Sequence, residues 1–161
     1  MRRVSLALVL PALLAACGGG AKQEQAAGPA ADSAALALEQ YNPAVFDTIS
    51  WPADSAQTNR GGVVWQFSCK KCHGQLGHGD GEGLAELAQA GDTIKPPNFS
   101  TDWKFGTDRD ALIKAIYAGS KEGMPHWGVS GLKPRDIDAV GAYVLQNLVG
   151  INDMTVQTPK S

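Results

Sequence analysis

Cysteine is scarce in this 161-residue chain, which has three, an odd number. An odd count argues against a disulfide framework, in which thiols pair, so these cysteines need another use. Charge of one sign is also lacking, because 14 basic and 16 acidic residues leave a formal charge of −2. Without a basic run, the sequence does not indicate a nucleic-acid-binding protein. Aromatic residues make up only 7%, which predicts a modest core. The length predicts one ordinary domain.

A long hydrophobic run is missing as well, since the largely apolar stretch over residues 4–14 is too short to span a bilayer. It follows two arginines, and a positive start before a short apolar run is typical of an export signal. Cleavage after Ala16 would place Leu14 three residues before the cut, where a small residue is preferred. The segment Leu14–Cys17 instead resembles the bacterial lipobox, which implies a mature chain that begins with lipidated Cys17. The alternative is a soluble exported protein in which Cys17 is discarded or idle.

The composition then divides the chain. Residues 17–57 are rich in Ala, Gln, Gly, Ser and Pro, a composition that cannot bury enough apolar surface to offset the entropy of ordering. Within this stretch, residues 36–41 could form a helical turn, and Phe46, Ile49 and Trp51 could pack onto the domain behind. The predicted units are a signal peptide over 1–16, a lipid-anchored flexible linker over 17–57, a folded domain over 58–150 and a C-terminal tail over 151–161.

Residues 69–73 have the sequence Cys-Lys-Lys-Cys-His, the attachment pattern of c-type haem. Two thiols three residues apart on one helical turn can each add to one vinyl group of a porphyrin, and His73 can then ligate the iron. A structural zinc site would need four ligands, and a thioredoxin-type pair of cysteines would need a βαβ context that is absent. The sequence therefore predicts one haem c, held covalently through Cys69 and Cys72.

The residues around this motif carry a family resemblance. Gly61 and Trp65 precede the first cysteine at helical spacing, and a glycine-rich loop follows over 74–81. This order resembles the monohaem class I cytochromes c, and the likeness covers about residues 58–150. In that family the glycine and the aromatic residue of the first helix pack against the C-terminal helix.

Two further helices are predicted from apolar periodicity, and no convincing alternating strand is found. One covers Asp108–Ala118, and the other begins at Pro134, a favoured first-turn position, and ends at Gly150. We therefore expect an all-α protein with a small cytochrome c fold, whose helices wrap around one covalently attached haem behind a flexible tether.

The resemblance also implies the remaining contacts of the haem. Met124 lies between Gly123 and a proline, as in the methionine loop of the family, and a thioether ligand raises the reduction potential. His126 is the rival sixth ligand. The axial histidine would donate its second N–H to a proline carbonyl, for which Pro97 is the first choice and Pro96 the alternative. Trp103 could bond a haem propionate through its indole N–H. Four aromatic residues could line the pocket: Phe99, Phe105, Tyr117 and Trp127.

With both axial positions filled, the iron has no open site for a substrate, which suits outer-sphere electron transfer. The resemblance implies an electron carrier that is not itself an enzyme. We expect it to be lipid-anchored to a bacterial membrane on the extracytoplasmic side, and to pass single electrons between donor and acceptor redox proteins that are membrane complexes. One alternative is a permanent cytochrome subunit of a larger respiratory or photosynthetic oxidoreductase. A haem peroxidase or sensor is less favoured, because it needs a labile sixth ligand. Lys70, Lys71 and Lys121 could form a basic docking rim, or could be ordinary solvated lysines.

Overall fold

The computed structural model describes residues 30–149. The predicted signal peptide over 1–16, Cys17 and the predicted tail over 151–161 lie outside the described residues. None of the described helices is long and apolar enough to cross a membrane.

Eight α-helices and two π-helical segments follow one another between residues 30 and 149, and this stretch contains no strand. The all-α class predicted from the sequence is confirmed. In chain order the elements are α1 (Ala30–Gln40), α2 (Ala44–Asp47), α3 (Asp54–Val64), a π-helical segment (Trp65–Cys69), α4 (Lys70–His73), α5 (Leu84–Gln89), α6 (Arg109–Ala118), α7 (Trp127–Ser130), α8 (Pro134–Tyr143) and a second π-helical segment (Val144–Val149).

Helix α8 begins where the sequence predicts, and α6 begins one residue later than predicted, at Arg109. The Asp108 side chain caps α6 by accepting the Ala111 backbone N–H at 2.9 Å. Pro134 opens α8, where its fixed φ suits the first turn and its missing N–H is not needed. The apolar stripe of α8 faces inward, since Ile137 and Val140 are 0% and 1% exposed.

Helix α3 and helix α8 make the closest backbone approach in the core. A Cβ atom at Gly61 would overlap the Ala139 carbonyl and lie 2.6 Å from the Cβ of Tyr143. Only glycine leaves room for this contact. One turn later the Trp65 ring packs on the Tyr143 ring, with centroids 6.3 Å apart. The packing of Gly61 and Trp65 against the last helix is therefore as the resemblance implies.

The prediction of a flexible linker was wrong for residues 30–57. Residues 30–53, which we call the arm, form α1 and α2 and lie against the domain, and α3 already begins at Asp54. Ala37 and Phe46 are 0% and 4% exposed, and Ile49 packs on the same core. The composition misled because a few apolar side chains are enough to dock a segment when the domain behind supplies large partners for them.

A buried carboxylate fastens the end of the arm. Asp138 of α8 is 1% exposed and accepts hydrogen bonds from Trp51 Nε1 at 2.6 Å and Gln57 Nε2 at 2.8 Å. Arg109 of α6 donates to its other oxygen. A buried charge is tolerated when it is paired and fully hydrogen-bonded. This cluster joins the arm to α3, α6 and α8, and the apolar pattern of the sequence gave no sign of it.

We predict that Asp138→Asn lowers the free energy of unfolding by about 3 kcal/mol. Breaking a buried ion pair is strongly destabilising, and the Arg109 side chain, 35% exposed, recovers some solvation. Asp136→Asn is the matched control, since its partner Arg60 is 47% exposed and such a pair contributes less than about 1 kcal/mol. Urea denaturation followed by circular dichroism measures both. Equal losses in the two variants would contradict the role given to Asp138.

Candidate cofactor cavity

A mostly apolar cavity of about 400 Å³ lies among the first π-helical segment, α4, α6 and α8. This volume falls in the range of small-molecule and cofactor sites. The six residues that the sequence analysis assigned to haem binding all line it: Cys69, Cys72, His73, Pro97, Trp103 and Met124.

The two cysteines stand on consecutive helical segments and are both free thiols. Cys69 is buried, and burial, with a smaller effect from the neighbouring Cys72, raises the pKa of its thiol to about 12. Reactive cysteines of redox enzymes have lowered pKa values, so this environment disfavours a thioredoxin-type pair. Among residues 30–149, no group of three or more His, Cys, Asp and Glu side chains could hold a metal ion. The arrangement thus disfavours both rival uses of the cysteines.

His73 ends α4 with its ring beside two aromatic rings. The ring centroids lie 5.8 Å from Trp65 and 5.3 Å from Phe99. Burial lowers the pKa of the imidazole, which favours its neutral form, the form that ligates iron. Its Nδ1 atom is buried and has no hydrogen-bond partner among the described residues.

The predicted bond from His73 to Pro97 is not formed. The carbonyls of Pro96 and Pro97 lie against Gly79, where a Cβ atom would be 2.5 Å and 3.3 Å from the two oxygens. Gly79 has a φ of 73°, and its N–H donates to the His73 carbonyl at 2.9 Å. Both prolines nevertheless belong to the cavity wall, so the acceptor for the imidazole stays a prediction.

Met124 and His126 differ in position. Met124 lines the cavity, whereas His126 does not, and the Nδ1 atom of His126 lies at the Ala118 carbonyl instead. The Met124 carbonyl accepts the Ser120 N–H at 3.0 Å. Gly119 has a φ of 66° and allows the two sides of this loop to approach each other, because a Cβ atom there would lie 2.5 Å from the Met124 carbonyl oxygen. The geometry favours Met124 over its rival.

The aromatic predictions have mixed outcomes. Phe99, Phe105 and Trp127 line the cavity, but Tyr117 does not and packs on the arm instead. Trp103 lines the cavity, yet its indole N–H donates to the Gly106 carbonyl at 2.9 Å. A bond from Trp103 to a propionate therefore stays a prediction.

Two functional positions were missed. Ile94 lines the cavity and packs at Gly123, where a Cβ would be 2.8 Å from its Cδ1 atom. Its signal in the sequence was an isolated aliphatic residue in a polar loop shortly before two prolines. The second is Ser120, whose hydroxyl accepts the Met124 N–H at 3.4 Å, and no sequence signal marks it.

The wall fits a haem. It has two thiols on one helical turn, a neutral imidazole with a buried free nitrogen, a thioether, and an otherwise mainly apolar and aromatic surface. Imidazole and thioether are the donors that hold iron in cytochromes c.

Comparisons with known proteins agree with a haem-binding cavity. The family model described as cytochrome C oxidase, cbb3-type, subunit III matches residues 56–144. The cbb3-type cytochrome c oxidase subunit CcoP of Azospirillum brasilense is 30% identical over 97 residues, which cover 60% of this chain and 30% of that protein. Subunit FixP of Azorhizobium caulinodans is 31% identical over 94 residues, covering 58% and 28%. The matches thus span less than a third of these relatives. No solved structure matches.

We predict that Met124→Ala abolishes the sulfur-to-iron charge-transfer band of the oxidised protein and lowers its midpoint potential, because the neutral thioether favours ferrous iron. His126→Ala is the control and should keep both properties. A redox-titrated absorption spectrum measures them together. A wild-type spectrum without the band, with a midpoint potential that changes in His126→Ala and not in Met124→Ala, would assign the sixth position to His126.

Proposed function

Because this chain belongs to the family of cytochrome c oxidase, cbb3-type, subunit III, we propose that it is a monohaem cytochrome c subunit that passes single electrons within a membrane oxidase complex. The chain is a haem c protein of electron transport. The observation that carries the proposal is the meeting of Cys69, Cys72, His73 and Met124 in the wall of one cavity.

The family match changes the order of the two functional hypotheses. A mobile carrier came first from the sequence, and a permanent subunit second. The matched relatives are themselves named as oxidase subunits, which supports the subunit. A mobile carrier becomes the second candidate, and the lipobox resemblance of Leu14–Cys17 is compatible with both.

The residues of the cavity wall have different roles in this function. When bound, a haem supplies a one-electron redox couple. Cys69 and Cys72 would hold it covalently, while His73 and Met124 would bind its iron and leave no place for a substrate. The mostly apolar wall would limit contact between the haem and water, which affects the potential by lowering the local dielectric. On this basis the chain carries electrons, and reduction of a substrate belongs to another subunit.

Near the cysteines, an exposed aromatic side chain is available to a partner, whereas most of the lysine charge is balanced by carboxylates. Lys71 lies 2.7 Å from Glu86, and Lys121 lies 4.0 Å from its neighbour Glu122, so two lysines of the suggested basic rim have acidic partners. Phe67, in the segment that carries Cys69, is 87% exposed. A large aromatic side chain with this exposure is a candidate anchor for a partner protein.

We predict that the full-length protein co-purifies with oxidase subunits in fixed stoichiometry after detergent extraction, and that the complex persists through a high-salt wash. An apolar contact is little screened by salt, whereas a contact steered by charge is weakened. Phe67→Ser should lower the recovered stoichiometry, and Lys70→Ser should not. Recovery of the wild-type protein alone, with fast electron exchange between soluble partners, would favour the mobile carrier.

We also propose that Cys17 is the lipidated first residue and that the protein faces the extracytoplasmic side of the membrane. We predict that the intact mass of the membrane-extracted protein equals residues 17–161 plus acyl chains and one haem. Cys17→Ser should lose the acyl mass and keep the haem. A wild-type mass without acyl chains would refute the anchor, and a mass without haem would refute the attachment.

A further inference from the structure

The arm holds one side of Tyr117. The ring of Tyr41 meets the Tyr117 ring edge-on with centroids 5.3 Å apart, and the Phe46 ring does so at 6.3 Å. The Tyr117 hydroxyl donates to the Gln40 carbonyl at 3.4 Å. The arm lies before the region that the family model matches, which begins at residue 56. Tyr117 is thus held by a segment outside that family region.

Tyr117 also supports α7. A Cβ atom at Gly128 would overlap the Tyr117 ring, so the α7 backbone lies directly on it. Trp127, the neighbour of Gly128, lines the cavity. A displacement of the Tyr117 ring would therefore be felt at the cavity wall, since close-packed groups move together.

The loop that carries Met124 is fixed between α7 and the end of α6. The Trp127 N–H donates to the Pro125 carbonyl at 2.9 Å, and the Ser120 N–H donates to the Met124 carbonyl at 3.0 Å. Tyr117 is in the last turn of α6 and packs on α7. Both supports of the methionine loop thus meet at this one ring.

We propose that Tyr117 is a positioning residue for Met124, and that the docked arm holds it in place. The ring fixes α7 against the end of α6 and so keeps the thioether at the cavity. Undocking of the arm frees the ring, loosens the loop and opens the sixth iron position more often. The proposal rests on the ligation of iron by Met124 proposed above.

The test uses the full-length ferric haem protein with cyanide as the probe. Cyanide binds iron only after the Met124 sulfur leaves, so its binding rate reports how often the loop opens. Tyr41→Ala removes the arm ring next to Tyr117, and Tyr41 does not line the cavity. We expect cyanide to bind about fivefold faster than in wild type, the effect of losing one edge-on aromatic pair. The sulfur-to-iron band should weaken in parallel.

Leu148→Ala is the control for a general loss of stability. Leu148 is 3% exposed in the last helical segment and does not line the cavity. Its urea midpoint should fall at least as far as that of Tyr41→Ala, because the truncation leaves a cavity in the core. Its cyanide rate should stay near the wild-type value.

The outcomes separate the two proposals. Faster cyanide binding in Tyr41→Ala alone supports the positioning role. Equal acceleration in both variants, or acceleration in neither, overturns the positioning role of Tyr117. If the wild-type protein still shows the sulfur-to-iron band in that case, Met124 remains the ligand. A wild-type protein that lacks the band overturns Met124 ligation and this inference with it.

Discussion

The contact of α3 with α8 at Gly61 is the constraint on which the rest of the structure depends. Two helices far apart in the chain meet there backbone to backbone, and a single methyl group at Gly61 would overlap the Ala139 carbonyl. This contact sets the direction of the segment that follows, and so presents Cys69 and His73 to the cavity. It also places Asp138, one residue before Ala139, where the arm can reach it. The haem site and the docking of the arm therefore both depend on the contact between α3 and α8.

The sequence was most informative where the chemistry is local. The spacing of residues 69–73 is itself the requirement for attachment, so the pattern was enough to predict that site. Met124 could be proposed from its glycine and proline neighbours, and the structure brings it to the same cavity. Helix α8 was predicted well because its apolar stripe and its initial proline act within one element.

Contacts between distant segments were beyond sequence reasoning. The Trp51–Asp138 bond joins residues 87 apart, and the Gln40–Tyr117 bond joins residues 77 apart. Neither contact follows a periodic sequence pattern, so Tyr117 was predicted to line the pocket. The arm was predicted to be a linker, although the expected packing of Phe46, Ile49 and Trp51 onto the domain is confirmed. The missing bond between His73 and Pro97 has a similar cause. It depends on the path of a loop whose carbonyls lie at Gly79.

The docked arm also sets how far the haem domain can travel from the membrane. If Cys17 carries the anchor, a free linker over 17–57 would allow an extended reach of about 140 Å. Because α1 begins at Ala30, the residues from 17 to 29 span at most about 45 Å when fully extended. With that anchor, the arm would confine the domain to a layer close to the bilayer surface. Electron partners within this layer encounter it at a higher effective concentration, and those far outside it are beyond its reach.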